Sequence, residues 1–202
     1  MNNLQYCHYP KSAGRMVEQM LIKKYGRKYH RMNGNFLSNT PGKKSDFYKW
    51  RQYTKARLVY FCANNSCIGG HIRPLEFVAW KACFIREPVE RMYSEYHFFK
   101  RKNPEFIGDR TFLQYAMNTK KLMVPYSDFY GGNEFQFIGF FDRLEVDVER
   151  FAEILGVDFE PKIVNATEYE AVSEVDRCAA EEILQEDVRV YKAIRSKCGL
   201  AA

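Results

Sequence analysis

Three times in this chain an apolar run of strand length passes through a short polar junction into an amphipathic helical pattern, and that alternation constrains the fold most. "LQYCHY", Leu4 to Tyr9, leads through "PKSAG" into Gly14 to Tyr25, where Met16, Val17, Met20 and Leu21 share one helix face and Gly26 supplies a stop. "WKACFIR", residues 80 to 86, leads through Glu87-Pro88 into a helix from about Pro88 to Arg101 with Val89, Met92, Tyr93 and Tyr96 as its apolar stripe. Pro88 suits a first helical position, where its missing N–H costs nothing. "FQFIGFF", residues 135 to 141, precedes a helix at Asp147 to Leu155. A further strand is expected at Arg57 to Ala63, "RLVYFCA", after a short helix at Asp46 to Tyr53 and before a polar turn, "NNSCIGGH". Helices at Thr111 to Met117 and Ser173 to Arg195, and loops at Met32 to Lys44 and Lys120 to Glu134, complete the reading. Strands alternating with helices predict an α/β structure with a mainly parallel sheet. Ligands of such sheets bind beyond the carboxyl ends of the strands, where Pro10 to Arg15 and Arg86 to Pro88 fall.

A chain of 202 residues with 46% hydrophobic content is expected to form one domain, residues 1–202, with no internal repeat. The formal charge of +6 includes clusters at Lys23-Lys24, Arg27-Lys28, Lys43-Lys44, Lys100-Arg101-Lys102 and Lys120-Lys121. Each alone reads as a solvated helix face; together they lean toward an anionic ligand. Cys7, Cys62 and Cys83 lie in apolar runs like small buried hydrophobes, and Cys62 and Cys67 are too far apart for a CxxC clip. "MNNLQYCHYPK" lacks the apolar core of a signal peptide, and no apolar run nears the roughly 20 residues of a membrane span. The expectation is a cytoplasmic protein with reduced cysteines and no membrane span. No helix-turn-helix, zinc or RNA-module pattern points to nucleic acid.

At the first junction, a turn opening a helix exposes backbone N–H groups and the positive end of the helix dipole. Ser12, Ala13 and Gly14 are small enough for an anion to approach the backbone, and Lys11 adds a mobile charge. A Walker loop has its lysine after the glycines, so the order here is different. At the second junction, Arg86 offers a planar fork and Ser94, about two turns into the helix, a small donor, a pairing suited to phosphate. Arg86 could equally pair with Glu87 or Glu90, and Lys11 could sit on an ordinary surface turn.

The two junctions together resemble a known family. "HYPKSAG" is similar to the H-x-P-K-[TS]-A-G loop of PAPS-dependent sulfotransferases, in the branch that includes carbohydrate and heparan 2-O-sulfotransferases. "IREPVERMYSEYHFF" resembles that branch's R-[DE]-P-x-x-R-x-x-S-x-Y segment, and "FQFIGFFDRLEVDVERFAEILGV" its F-x-x-x-G-x-x-[ED]-R unit. The tail, "IVNATEYE" then "EDVRVYKAI", resembles its N-x-[ST] and D-x-x-x-Y pattern, so the likeness runs in order from Tyr6 to Tyr191. It implies a P-loop NTPase-like three-layer sandwich and the donor 3′-phosphoadenosine 5′-phosphosulfate (PAPS), with PAP as product. Lys11 and the turn Ser12, Ala13, Gly14, Arg15 and Met16 would then cradle the 5′-phosphosulfate, and Arg86 and Ser94 the 3′-phosphate. The family usually has hydroxyl residues directly after the loop glycine, whereas this chain has Arg15 and Met16, leaving the backbone N–H groups as donors there.

Such a transfer is expected to be an in-line displacement run by positioning and charge stabilisation. No metal is expected, since no carboxylate pair for Mg²⁺ is visible. Lys11 is expected to stabilise the leaving oxygen. Among His8, His30, His71 and His97, His71 in "GGHIRP" is favoured as general base, because the 2-O branch resembles it in placing a catalytic histidine in a G-H-x-x segment. His8 is expected to orient the loop and His97 to line the acceptor cleft or cover the helix; Glu18 and Glu95 are reserve bases. The acceptor is a hydroxyl compound, with an acidic saccharide, a small alcohol, a lipid and a peptide tyrosine all open. Two other readings remain: a P-loop kinase-like NTP-dependent enzyme, and a non-catalytic polyanion binder.

Overall fold

The computed structural model describes residues 3–32, 53–61, 65–71, 73–160 and 170–201. They fall into two compact units, one of Met1–Ile85 with Asn133–Val164 and one of Arg86–Gly132 with Asn165–Ala202.

The first unit is built on a five-stranded sheet: β1 (Leu4–Cys7), β2 (Tyr29–Met32), β3 (Cys67–Gly70), β4 (Trp80–Ile85) and β5 (Phe137–Phe140), in the order β2-β3-β1-β4-β5. Every neighbouring pair is parallel, with Leu4 level with both Cys67 and Trp80. Strand alternation sends Leu4, Tyr6, Cys67, Ala82, Phe84 and Phe137 to one face. There they pack against Met16, Val17, Met20 and Leu21 of α1 (Gly14–Tyr25) and Val148, Phe151 and Leu155 of a later helix, Leu144–Leu155. The opposite face carries Met32 and Ile68 against Ala56, Val59 and Tyr60 of α2, residues 53–61. Helices therefore cover both faces, as a parallel sheet requires. The result is a P-loop-like three-layer α/β sandwich.

Two sequence expectations change here. "RLVYFCA" is helical as far as residue 61, because Ala56, Val59 and Tyr60 recur at helical spacing and bury one stripe. The strand lies instead in "CIGG", within the expected turn; Cys62 falls outside the described residues. Gly70 has φ +130°, and a Cβ there would meet the Met32 carbonyl oxygen at 2.3 Å, so this strand end needs glycine. Fully buried Gln5 fastens the segment after β3, donating to the Arg73 carbonyl at 2.8 Å and accepting from the Leu75 N–H at 2.8 Å.

The second unit is helical: α3 (Pro88–Lys102), α4 (Pro104–Ile107), α5 (Phe112–Lys120), α6 (Tyr126–Tyr130), α8 (Glu174–Ile183) and α9 (Gln185–Lys197), with α7 being Leu144–Leu155 of the first unit. Val89, Met92, Tyr96, Phe112, Tyr115, Ala116, Ala180 and Leu184 form its core. The expected long terminal helix is two helices, divided at buried Leu184. α6 occupies part of the expected loop at 120–134, and α5 begins with the capping box of Thr111 and Gln114. No described helix is long and apolar enough to cross a membrane.

Candidate functional site

β1 and β4 are adjacent and parallel, so their carboxyl ends share one edge of the sheet. From β1 the chain passes through Pro10–Ala13 into α1. Lys11 (φ 68°) and Ala13 (φ 58°) both hold the left-handed conformation, unusual for residues with a Cβ. Such strain at a turn opening a helix is a mark of a functional loop. Ala13 is the N-cap, yet no side chain caps the helix and its first turn has no acidic residue. The first turn thus offers the helix dipole no carboxylate of its own, a condition under which a helix start attracts an anion. Ser12 is fully buried, and its Oγ has no hydrogen-bond partner among the described residues. Arg15 is exposed, and the Met16 side chain is buried in the α1–sheet core while its N–H donates to the Ala13 carbonyl at 3.2 Å.

The His8 ring covers the start of α1. A Cβ on Gly14 would lie 1.8 Å from His8 Cε1, so the glycine makes room for the imidazole. The His8 N–H donates to the Gly70 carbonyl at 2.9 Å, joining the carboxyl ends of β1 and β3. His71, next after β3, stacks at a tilt on His8 with ring centroids 4.2 Å apart. Both line a small pocket with Tyr6, Gly14, Glu18, Tyr29, Arg31 and Gly70. Burial drives the pKa of His8 well below 6.5, aided by the nearby charges of His71 and Arg31. Burial also lowers that of His71, again with Arg31 contributing. Both rings are therefore neutral near pH 7, the form in which a histidine accepts a proton. His71 Nδ1 is buried and has no hydrogen-bond partner among the described residues. Glu18 lies in the same pocket, 3.1 Å from Arg31 Nε and accepting from the Tyr29 hydroxyl at 3.0 Å.

The second junction belongs to the helical unit. Arg86 follows β4 directly, and its carbonyl accepts a hydrogen bond of 2.8 Å from the Tyr126 hydroxyl. The Tyr126 N–H in turn donates to Asp187 Oδ1 at 2.8 Å. Asp187, from the D-x-x-x-Y tail, thus acts on the backbone at Arg86 through Tyr126. Glu87 caps α3, its carboxylate accepting from the N–H groups of Val89 at 3.0 Å and Glu90 at 2.8 Å. Arg86 Nη2 lies 3.8 Å from Glu90 Oε2, and half-buried Ser94 is on the same helix.

Of the remaining candidates, buried Glu95 is engaged by Arg91 at 2.8 Å and by the Tyr115 hydroxyl at 3.1 Å. His97 packs edge-on against Tyr93 at 4.4 Å, and His30 belongs to β2. Among the described residues, no group of three or more His, Cys, Asp or Glu side chains is placed to hold a metal ion. The "IVNATEYE" motif apart from Glu170, the expected loop at Met32 to Lys44 apart from Met32, and the expected helix at Asp46 to Tyr53 apart from Tyr53 lie outside the described residues. Sequence reasoning did not find Arg31, Tyr29 or Tyr6, since only the sheet order brings them to the pocket.

No match was found among curated protein sequences. Among solved structures, the chain is similar to mouse sulfotransferase SULT7A1, crystallised with PAP, at 13% identity and a TM-score of 0.48, over 92% of this chain and 64% of that one. This chain thus spans less than two thirds of the mouse protein's length. It is also similar to a sulfotransferase from Alicyclobacillus acidocaldarius at 15% identity and a TM-score of 0.52, over 96% of this chain and 95% of that one, a likeness of fold. The sequence profile of the sulfotransferase family matches residues 1–132, a span that includes both junctions. The chain belongs to the sulfotransferase family.

Proposed function

We propose that this protein moves a sulfuryl group from PAPS to a hydroxyl acceptor, its two units serving as one sulfotransferase domain. The observation that carries this reading is the start of α1, an uncapped helix N-terminus behind a left-handed Lys11–Ala13 turn, with two neutral histidines beside it. The buried Ser12 Oγ there, without a hydrogen-bond partner among the described residues, fits an anionic ligand. PAPS supplies the sulfuryl group already bonded to a phosphate leaving group. The N–H groups of the Ser12–Arg15 turn and the Lys11 ammonium hold the 5′ end and stabilise the charge that develops on the departing phosphate oxygen. Arg86 and Ser94 are assigned to the 3′-phosphate, as the family motif implies. With Nδ1 of His71 buried, Nε2 is the nitrogen that takes the acceptor proton as the acceptor oxygen attacks sulfur in line. Arg31 and Glu18 border this pocket and favour a polar acceptor such as a saccharide.

Turnover of radiolabelled PAPS against a panel of saccharides and simple alcohols tests the reading. Lys11→Ala and His71→Ala are expected to lose activity, the former by ~3 kcal/mol of transition-state stabilisation. Wild-type rates in both variants would remove these assignments.

A further inference from the structure

Four charged side chains meet at the start of α3, and one of them, Arg177, belongs to no motif. It reaches in from α8, 87 residues beyond Glu90, and its Nη2 donates to Glu90 Oε1. Its Nη1 lies 3.5 Å from Glu87 Oε2. Glu90 is therefore divided: Oε1 meets Arg177 closely, while Oε2 stands 3.8 Å from Arg86, at the outer edge of ion pairing. The two guanidiniums and two carboxylates sum to zero charge. Without Arg177, Glu90 would lose its nearer partner and be left to Arg86, and the remaining three side chains would be net negative toward an approaching phosphate. A carboxylate and a phosphate compete for the same guanidinium fork.

We propose that Arg177 is a positioning residue for donor binding: by holding the Glu90 and Glu87 carboxylates it keeps Glu90 from closing on Arg86 and leaves that guanidinium able to receive the donor's 3′-phosphate. This rests on the donor reading above. Arg177 also ties α8 to α3, so its test must separate a charge effect from a structural one.

PAP, and 5′-AMP as the same nucleotide without the 3′-phosphate, are titrated calorimetrically into the wild type and the variants Arg177→Ala, Glu90→Gln, the double Arg177→Ala/Glu90→Gln, and Arg86→Ala. Arg177→Ala is expected to weaken PAP about fivefold, the upper end for a partly exposed ion pair, and to leave AMP unchanged. Adding Glu90→Gln removes the competing carboxylate and restores PAP affinity; a loss shared by PAP and AMP, or a double variant that stays weak, overturns the proposal. If Arg177→Ala fails to fold, Glu90→Gln alone decides. Tighter PAP binding with unchanged AMP supports the proposal, and unchanged or weaker PAP binding refutes it. A wild type that binds no PAP removes the donor reading itself, whereas PAP binding indifferent to Arg177→Ala removes only this inference.

Discussion

Gly14→Ala probes the packing on which the site depends. Gly14 begins α1 with an ordinary negative φ, so the backbone accepts alanine there, and alanine alone would stabilise the helix by about 0.4–1 kcal/mol. The His8 ring reverses that sign. A Cβ would fall 1.8 Å from Cε1, 1.9 Å from Nε2 and 2.3 Å from Nδ1, so the whole imidazole must move. It has little room, because His71 stacks on it at 4.2 Å and Tyr6 lies parallel at 6.1 Å. Overpacking of this kind costs about 1–3 kcal/mol. Gly14→Ala is therefore expected to destabilise the wild type, yet to stabilise a His8→Ala protein, with a coupling of about 2 kcal/mol or more across the cycle. Urea unfolding of the four proteins measures it. Equal effects of Gly14→Ala in both backgrounds would refute the account of how His8 seats on the helix.

Further outcomes follow from neighbouring contacts. Met16→Ala should cost about 2–5 kcal/mol of stability because the side chain is core, whereas Arg15→Ala should stay within about 0.5 kcal/mol by the same urea assay. Tyr126→Phe removes the hydrogen bond to the Arg86 carbonyl and should lower stability by about 1 kcal/mol while weakening PAP binding in a calorimeter; unchanged affinity would disconnect Tyr126 from Arg86. His8 and His71 have folded-state pKa values below 6.5, so the unfolded chain takes up protons first as the pH falls. The stability they contribute is full above about pH 6.5 and declines below it, and the decline between pH 7.5 and 5 should be shallower in His8→Gln.

The strand–junction–helix units around Lys11 and Arg86 were legible because their apolar spacing, Pro88 and the small residues of the first turn are all local signals. β2 and β3 were not. "YHRM" is a half-buried edge strand with little apolar content, and "CIGG" looks like a turn until Gly69 is seen beneath the Tyr29 ring, with a would-be Cβ 2.5 Å from the hydroxyl. "RLVYFCA" has strand-like composition, but half-buried Val59 and Tyr60, with buried Ala56 just before it, form a helical stripe against Met32 and Ile68. Among the candidate residues, Lys11, Ser12, His71 and Arg86 could be named from motifs. The seat of His8 on Gly14, the Glu18–Arg31 pair and the grip of Arg177 on Glu90 join residues distant in sequence, and only folding reveals them.

The most direct test of the central claim, a PAPS site at the start of α1, is calorimetric titration of PAP and of Mg·ATP into the wild type and Lys11→Ala. The account predicts that the wild type binds PAP, that Lys11→Ala binds it more weakly, and that Mg·ATP does not bind. Binding of Mg·ATP without PAP, or PAP affinity indifferent to Lys11→Ala, would contradict it.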